Sequence, residues 1–299
     1  MNHFPFDKPG RFYRGNLHTH STRSDGGLPP ADVIAAYRDH GYDFLALTDH
    51  FMEKFGFPIT DTRAFRTATF PTLLGAELHA PQLENGVIWH IVAVGLPLDF
   101  APTPPDETGP QLAARAAAAG AFVGIAHPAW YGLTLSDALS LEAAHAVEIF
   151  NQTCATDNDR GDSWYLAELL LARGRRLAAY AADDAHFKTR LDYRSAWVQV
   201  RAQSLDPDAL LAALKNGDYY SSQGPEIHEV EIVGGEIRIH CSPAAHVFLS
   251  GSRSTARHVD GSELTTCSLP LEPFAGSYCR LTVVDQNGKR AWLNPIWIE

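Results

Sequence analysis

The sequence predicts an α/β fold with a mainly parallel sheet, followed by a small antiparallel β domain. Short apolar runs alternate with helical segments from about residue 10 to 225, and an alternation of apolar and polar residues replaces that pattern from residue 226 onward. About seven strand–helix repeats favour a closed barrel over an open sheet. The predicted domains are therefore residues 10–225 and 226–299.

Each element of the first domain has its own local signal. Pro29 and Pro30 suit the first turn of a helix that Gly41 ends. The segment YDFLALTDH is apolar on both faces, as is typical of a buried parallel strand. Such signals predict strands at 12–20, 42–50, 70–80, 87–96, 121–128, 146–151, 176–186 and 195–202, and helices at 29–41, 109–120, 136–144, 163–174 and 206–217.

The second domain has the pattern of antiparallel hairpins. Gly234-Gly235 and Asn287-Gly288 are typical of tight hairpin turns, and no helical periodicity is evident around them. Residues 221–227, SSQGPEI, are the predicted hinge between the two domains. This domain is expected to stabilise the first domain or shape its pocket, because its histidines lack matching acidic residues for a second metal site.

Composition and charge argue against several function classes. Of 299 residues, 35 are Asp or Glu and 24 are Lys or Arg, and the net charge of −11 argues against a nucleic-acid polymer or an anionic membrane as partner. No apolar run is long enough to cross a bilayer, and no secretory signal is visible, so we expect a cytoplasmic protein. The four cysteines lack a CxxC pair, which makes a zinc ribbon or disulfide framework unlikely to fit this sequence.

The histidines and acidic residues that could bind metal lie near the predicted strand ends. His18 and His20, in GNLHTHSTRSDG, lie one residue apart at a strand end, where alternate side chains share a face and two imidazoles can bind one metal ion. Taken alone, such a pair is more often two surface histidines. Further potential ligands lie at or after strand ends: Asp25, His50, Glu77, His90, His127, Asp184 and His186. Burying so many imidazoles and carboxylates at one rim is costly without cations, so together they predict a metal site.

Each of these residues, taken singly, also has a structural explanation. His127 fits a hydrogen-bonded turn, Glu77 fits a lone acid at a strand end, and His90 fits a core histidine. Asp49 is predicted to cap a helix or to support the ligands from outside. His79 shares the face of Glu77, but it is predicted to be a neighbour of the site rather than a ligand.

The chain resembles the polymerase and histidinol phosphatase (PHP) superfamily over about residues 14–190, through six motifs in order: HTHSTRSDG, ALTDH, GAELHA, WHIVAVG, IAHPAW and ADDAH. The resemblance implies a distorted seven-stranded (β/α) barrel and metal-dependent phosphoesterase activity. The stretches LLLARGRRLAAYAADDAH, YYSSQGPEI and AWLNPIWIE are similar to the CehA/McbA-type metallohydrolase branch.

The same resemblance implies a site for up to three metal ions. The first ion would be bound by His18, His20, Glu77 and Asp184. The second would share Glu77 and add His90 and His127. The third would be bound by Asp25, His50 and His186. The catalytic residues would be Glu77, Asp184 and His186, and the nitrogen and oxygen donors suit two to three divalent ions of Zn, Mn or Fe.

Such a site implies hydrolysis of a small phosphate ester, either a monoester or a diester, by metal-bound hydroxide. The sequence has no G-x-S-x-G elbow for a serine nucleophile, which favours attack by an activated water. Hydrolysis of a carbamate, ester or amide on the same metals is the alternative. A non-catalytic metal-binding interaction module is a third reading, and the complete ligand set weighs against it.

An anionic substrate needs cations beyond the metals. Arg160 and Arg194 are the predicted substrate-binding residues, because both lie on loops that follow predicted strands. The further candidates are Arg23, Lys188 and Arg190. Solvated surface charge is the alternative for each of them. Trp130 and Tyr131 are predicted either to wall the pocket or to pack in the core. The expected partner is a small anionic substrate, and the sequence leaves the oligomeric state open.

Overall fold

The computed structural model describes residues 4–188 and 192–299, and within them it contains seven helices and sixteen strands. The helices are Pro30–Arg38 (α1), Gly109–Ala118 (α2), Pro128–Tyr131 (α3), Leu135–Ser140 (α4), Gln152–Asn158 (α5), Trp164–Ala172 (α6) and Pro207–Asn216 (α7). The earlier strands are Arg11–Asn16 (β1), Phe44–Leu47 (β2), His50–Phe51 (β3), Thr72–Leu78 (β4), Ile91–Val94 (β5), Phe122–Ile125 (β6), Ala146–Asn151 (β7), Ala178–Ala182 (β8), Trp197–Ala202 (β9) and Tyr219–Ser222 (β10). The later strands are Ile227–Val233 (β11), Glu236–Gly251 (β12), Ala256–Pro270 (β13), Ser277–Val284 (β14), Arg290–Leu293 (β15) and Ile296–Ile298 (β16).

The strands form a mixed sheet in the order β11-β12-β14-β15-β10-β9-β1-β2-β4-β5-β6-β7-β8, with β3, β13 and β16 paired at its side. The pairs β1–β2, β2–β4, β6–β7 and β7–β8 are parallel, as the strand–helix alternation predicts. The sheet is less parallel than predicted, because β5 runs antiparallel to both β4 and β6, and β9 runs antiparallel to both β1 and β10. No helix separates β4 from β5, so the chain turns back instead of crossing over to a parallel position.

The two ends of the run from β1 to β8 lie beside each other. The Asp184 N–H donates to the His18 carbonyl at 2.9 Å, and the His20 N–H donates to the Ala185 carbonyl at 2.9 Å. Thr19 and Ala185 form a parallel bridge between these hydrogen bonds. The segments that follow β1 and β8 are therefore fixed side by side, and this arrangement gathers the histidine-rich strand ends at one end of the sheet.

The helices follow their local sequence signals. All five predicted helices are confirmed, and α2 begins with a capping box in which the Thr108 side chain and Gln111 bond each other's backbone N–H groups. The sequence does not predict α3 and α5, which are too short to show a helical period. No helix in the described part of the chain is long and apolar enough to span a membrane.

The strands after β10 continue the same sheet through the β10–β15 pair. Both predicted glycine turns are confirmed, between β11 and β12 and between β14 and β15. The apolar side chains of these strands form one buried cluster that includes Tyr220 of β10. The buried Asn294 side chain accepts a hydrogen bond from the Ala179 N–H and donates to the carbonyls of Gly217 and Tyr219. The final strands are thus bonded to β8 and β10, while the boundary at residue 226 stays a prediction.

Deleting residues 226–299 is expected to make the remaining chain aggregate. The deletion would expose the β15 side of β10 and remove the three hydrogen bonds of Asn294. The soluble fraction after expression and high-speed centrifugation measures the effect, with the full chain expressed in parallel as the control. A soluble 1–225 fragment with a cooperative thermal transition would show that these strands are dispensable for the first part of the chain.

Candidate metal centre

The candidate metal centre lies where the segments after β1 and β8 meet. The structure brings together every ligand that the sequence predicts: His18, His20, Asp25, His50, Glu77, His90, His127, Asp184 and His186. Together with His79, which joins His50 and Glu77, they form overlapping groups of three or four whose ligand-capable atoms lie within 4.8 Å of one another. Asp25, His50 and His186 are half-buried, and the others are buried. The juxtaposition fits the predicted site, while the assignment of individual ligands stays a prediction.

Glu77, fully buried on β4, lies at the middle of the group. Its Oε1 is 2.6 Å from His90 Nδ1 and 3.1 Å from His127 Nε2. Its Oε2 is 2.6 Å from His50 Nδ1 and 3.6 Å from His18 Nε2. The two carboxylate oxygens thus face different sets of histidines, which is the arrangement that a bridging carboxylate requires.

Asp184 is the second residue after β8 and has a φ of 55°. Its Oδ1 is 2.8 Å from His20 Nε2 and 3.2 Å from His18 Nε2, and its Oδ2 accepts a hydrogen bond from Asn151 Nδ2 at 3.1 Å. A left-handed backbone is strained for a residue other than glycine, and such strain is concentrated at functional sites. The neighbouring Asp183 has a different role, because its carboxylate accepts three backbone N–H groups.

A third group lies nearer to solvent. Asp25 Oδ1 is 3.4 Å from His50 Nε2 and 3.3 Å from His186 Nε2. Asp25 Oδ2 accepts a hydrogen bond from Lys188 Nζ at 3.0 Å. The ring of His20 stacks on that of His186 with 4.2 Å between the ring centres. These side chains offer one oxygen and several nitrogens around a common point, as the third predicted ion requires.

Glu148 is a buried residue of the centre that the sequence reasoning missed. Its Oε1 accepts from His18 Nδ1 at 3.0 Å, and its Oε2 accepts from the His127 N–H at 2.6 Å and from Asn151 Nδ2 at 3.0 Å. A carboxylate on the outer nitrogen of an imidazole fixes its tautomer and leaves the other nitrogen free for a metal. The available signal was a charged residue inside the otherwise apolar strand AVEIF.

Asp49 supports the centre from outside, which is one of the two roles that the sequence predicts for it. Its carboxylate accepts hydrogen bonds from the N–H and the hydroxyl of Ser21, and from the hydroxyls of Ser24 and Thr60. These bonds fix the loop that follows His20. Asp49 belongs to none of the groups of potential ligands in the described part of the chain.

Burial and neighbouring charges have opposing effects on the pKa values of several side chains in the centre. Burial alone would raise the pKa of Glu77, but the adjacent imidazoles, His50 foremost, hold it well below its ordinary value. Burial and the neighbouring His186 and His50 lower the pKa of His20 to about 4. Burial opposes protonation of His186, yet the adjacent carboxylate of Asp25 raises its pKa to about 9. The carboxylate of Glu77 is therefore ionised and His20 is neutral near neutral pH, which are the states that metal ligands need. Although burial opposes it, nearby carboxylates raise the pKa of His18 and His127 as well, so a bound ion would displace protons from these two rings and from His186.

Several buried atoms of these side chains lack a hydrogen-bond partner within the described residues. They are His18 Nε2, His20 Nδ1, Asp25 Oδ1, Glu77 Oε2 and His127 Nδ1. A buried polar atom without a partner is costly, and unpaired carboxylate oxygens beside imidazole nitrogens are stabilised by a cation. Nitrogen and oxygen donors of this kind suit Zn²⁺, Mn²⁺ or Fe²⁺. The residues present therefore fit divalent metal.

A cavity of about 280 Å³ opens onto the centre. Apart from the potential ligands, its wall consists of Trp130, Thr153, Cys154, Asp157, Lys188 and Asp192. Within the described residues, Lys188 is the one cationic lysine or arginine of this wall. Trp130 walls the pocket, whereas Tyr131 is buried with its ring 5.2 Å from that of His90. The residues from α5 were missed because the sequence does not predict that helix.

The predicted substrate-binding arginines lie outside the cavity wall. Arg160 Nη1 donates to the Trp130 carbonyl at 3.1 Å, and the Arg194 guanidinium lies 4.6 Å from the ring centre of Tyr193. Sequence position shows which loop carries an arginine, but not where its long side chain is directed. A role of either arginine in substrate binding stays a prediction. Arg190 lies outside the described residues.

Comparison with known proteins gives a relationship at the level of the fold. No protein-family model and no curated protein matches the chain. A two-domain protein from Bacteroides vulgatus, containing a predicted PHP-like metal-dependent phosphoesterase, aligns over 94% of both chains with a TM-score of 0.54 and 15% identity. The chain has a PHP-like fold. The PHP resemblance of its sequence motifs is thereby confirmed for the fold.

Two further structures align with the PHP-like chain less closely. One is a proposed metal-dependent phosphoesterase from Bifidobacterium adolescentis, with a TM-score of 0.45 and 17% identity over 68% of this chain and 96% of that chain. The other is an amidohydrolase from Chromobacterium violaceum with bound sulfate and no metal, with a TM-score of 0.44 and 18% identity over 57% of this chain and 87% of that chain. Function is therefore inferred from the geometry of the PHP-like chain itself.

Proposed function

We propose that this chain is a metal-dependent hydrolase of small phosphate esters. The observation that carries the proposal is the buried carboxylate of Glu77, whose two oxygens face different histidines within a larger group of imidazoles and carboxylates. Two to three divalent ions would be held by the residues around it: His18, His20, Asp25, His50, Glu77, His90, His127, Asp184 and His186. The sequence motifs and the proximity of these side chains support this set.

Divalent ions bound there would supply a water acidic enough to attack phosphorus near neutral pH. The protein's own residues would provide position and charge. Glu148 holds the outer nitrogen of His18, so the ring is aimed before substrate arrives. Lys188, in the cavity wall, would donate to a phosphate oxygen. Trp130 would exclude bulk water from one side of the cavity.

The second candidate is hydrolysis of a carbamate, ester or amide, as in the CehA/McbA-type branch that part of the sequence resembles. The carboxylates of Asp157 and Asp192 in the cavity wall favour it, because they reduce the positive field that the metals would create. Both predicted arginines also lie outside that wall. We place phosphate esters first, because Lys188 and two or three divalent ions would still attract a compact anion.

A hydrolysis screen of the metal-loaded protein tests the proposed function. It should contain phosphomonoesters, phosphodiesters, nucleotides and neutral aryl carbamates, each with and without a chelator. The proposal predicts chelator-sensitive turnover of a phosphate ester and competitive inhibition by inorganic phosphate. Turnover of carbamates or esters without turnover of phosphate esters, together with no inhibition by phosphate, would reverse the ranking of the two candidates.

Lys188→Ala is expected to raise KM for the phosphate substrate by about tenfold or more, since a hydrogen bond to a charged group contributes roughly 1.5–3 kcal/mol. Arg160→Ala and Arg194→Ala are the matched comparisons, because both remove a cation from a loop near the centre but outside the cavity wall. Steady-state kinetics of the three variants show which of the three cations contributes most to binding the phosphate substrate. A larger rise in KM for either arginine variant than for Lys188→Ala would move the phosphate-binding role to that arginine.

The fold assignments that accompany this function are proposals as well. The seven strands β1, β2, β4, β5, β6, β7 and β8 would form the distorted barrel, supported by the hydrogen bonds between the segments after β1 and β8. Residues 10–225 would form the catalytic domain and residues 226–299 a β domain that stabilises it. The proposed partner is a small anionic substrate rather than a nucleic-acid polymer or a membrane.

A further inference from the structure

We propose that His79 is a positioning residue that fixes the tautomer of His50 and so completes the third metal position. The inference rests on the proposed metal site and deepens it, because it assigns a task to a buried histidine outside the predicted ligand set. The hydrogen bonds that link these rings determine which ring nitrogen of each histidine carries the proton. These hydrogen bonds run from the Trp89 carbonyl through His79 to His50, and they end at the point shared by Asp25 and His186.

The first step concerns the proton of His79. Its Nδ1 lies 2.9 Å from the backbone carbonyl oxygen of Trp89. A carbonyl oxygen only accepts hydrogen bonds, so His79 Nδ1 must carry the proton. In the neutral imidazole, Nε2 of the same ring then has a lone pair and acts as an acceptor. The side chain is buried between β4 and β5, which keeps this orientation in place.

The second step passes this constraint to His50. His79 Nε2 and His50 Nδ1 lie 2.9 Å apart in hydrogen-bonding geometry. Because His79 Nε2 is the acceptor, His50 Nδ1 must be the donor. Glu77 Oε2 is 2.6 Å from the same nitrogen, yet that oxygen has no hydrogen-bond partner within the described residues. The His50 N–H is therefore directed at His79, and Glu77 Oε2 is left for a cation.

The third step reaches the metal position. With the proton on Nδ1, His50 Nε2 presents its lone pair to the region where Asp25 Oδ1 lies 3.4 Å away. Once His186 has lost its second proton it has the same arrangement, because its Nδ1 donates to the Asp184 carbonyl at 2.7 Å and its Nε2 faces Asp25 Oδ1 at 3.3 Å. The lone pairs of His50 Nε2 and His186 Nε2 and the carboxylate oxygen of Asp25 then point to the place where the third ion would bind.

Loss of His79 would free His50 to adopt the other tautomer. An Nε2–H of His50 could donate to Asp25 Oδ1, since the two atoms are 3.4 Å apart, and this bond would occupy both groups. The third metal position would then lose the nitrogen donor of His50. An ion bound there would also compete with the new hydrogen bond for the carboxylate of Asp25. The other two metal positions would keep their donors, because neither uses the Nε2 atom of His50. Loss of an outer partner of this kind typically costs about 10- to 100-fold in metal affinity.

The test compares His79→Ala with His79→Gln, whose amide offers one donor and one acceptor in place of the two ring nitrogens. His145→Ala, a half-buried histidine away from the centre, is the matched control. Nitrogen-15 NMR of the metal-free proteins reports which ring nitrogen of His50 carries the proton. Calorimetric titration with Zn²⁺ alone then measures the affinity of each position.

We expect His50 to be protonated at Nδ1 in the wild-type chain, in His79→Gln and in the control, but not uniformly in His79→Ala. We expect Zn²⁺ affinity at one position to fall about 10- to 100-fold in His79→Ala and to return in His79→Gln. An unchanged His50 tautomer in His79→Ala would overturn the inference. Loss of one whole Zn²⁺ equivalent that glutamine does not restore would also overturn it, because His79 would then be a ligand. If the wild-type chain binds no metal, the proposed function fails, and the tautomers of the metal-free proteins still decide this inference.

Discussion

Replacing Glu77 by glutamine should release most of the bound metal and lower turnover by more than about 100-fold, which exceeds the usual effect of losing an outer partner. Glutamine keeps the shape of the side chain but removes its negative charge. It also turns one of the two inward oxygens into an amide donor beside His50 or His90, whose nitrogens each lie 2.6 Å from the carboxylate. Both metal positions that share Glu77 would therefore be weakened at once.

The control for this result is Glu142→Gln, which removes the same charge at an exposed position. Elemental analysis and circular dichroism of both variants separate loss of metal from loss of fold. A folded Glu77→Gln protein that keeps its full complement of metal and its activity would contradict the bridging role. If Glu77→Gln keeps all its metal but loses activity, Glu77 takes part in the reaction and is not needed to bind metal.

Asp184→Asn is the second change for which a large loss is expected, again more than about 100-fold in turnover. Asparagine tolerates the left-handed backbone better than most residues, so the strained turn at φ 55° should persist. The charge that faces His20 Nε2 at 2.8 Å and His18 Nε2 at 3.2 Å would be lost. The first metal position should therefore be weakened in a chain that remains folded.

His127→Ala should match the loss in Asp184→Asn, because it removes a nitrogen 3.1 Å from Glu77 Oε1. His79→Ala should be the mildest of the three, since His79 acts on the third position through His50. Rates measured side by side at saturating metal decide the order. If His79→Ala is as damaging as His127→Ala, the division between ligands and neighbours is wrong.

The fold was largely predictable because apolar periodicity reports each strand and helix. Apolar periodicity does not reveal the direction of a strand in the sheet, because a parallel and an antiparallel strand show the same period. β5 was therefore predicted as a strand, but its antiparallel direction was not. The helix α5 contains seven residues, too few to show a period, so the cavity residues that it carries were not found.

The clustering of the potential metal ligands was predictable because most of them lie at or near the end of a strand, and the ends of such strands meet. Glu77 lies within β4, and His90 immediately precedes β5. His18 and His20 share a face by alternation, and Asp184 and His186 repeat that spacing after β8. Glu148 was missed because it lies inside an apolar strand rather than at the end of one. The positions of the arginine side chains could not be predicted, because long side chains are directed by tertiary contacts, such as that of Arg160 with the Trp130 carbonyl.

The metal content of the purified chain tests the central claim most directly. Elemental analysis after gentle purification, at known protein concentration and without added metal, gives the number of ions per chain. The groups of potential ligands around Glu77 predict two to three equivalents of Zn, Mn or Fe, lost together with activity on treatment with a chelator. A well-folded, fully active protein with less than one equivalent of metal would contradict the account.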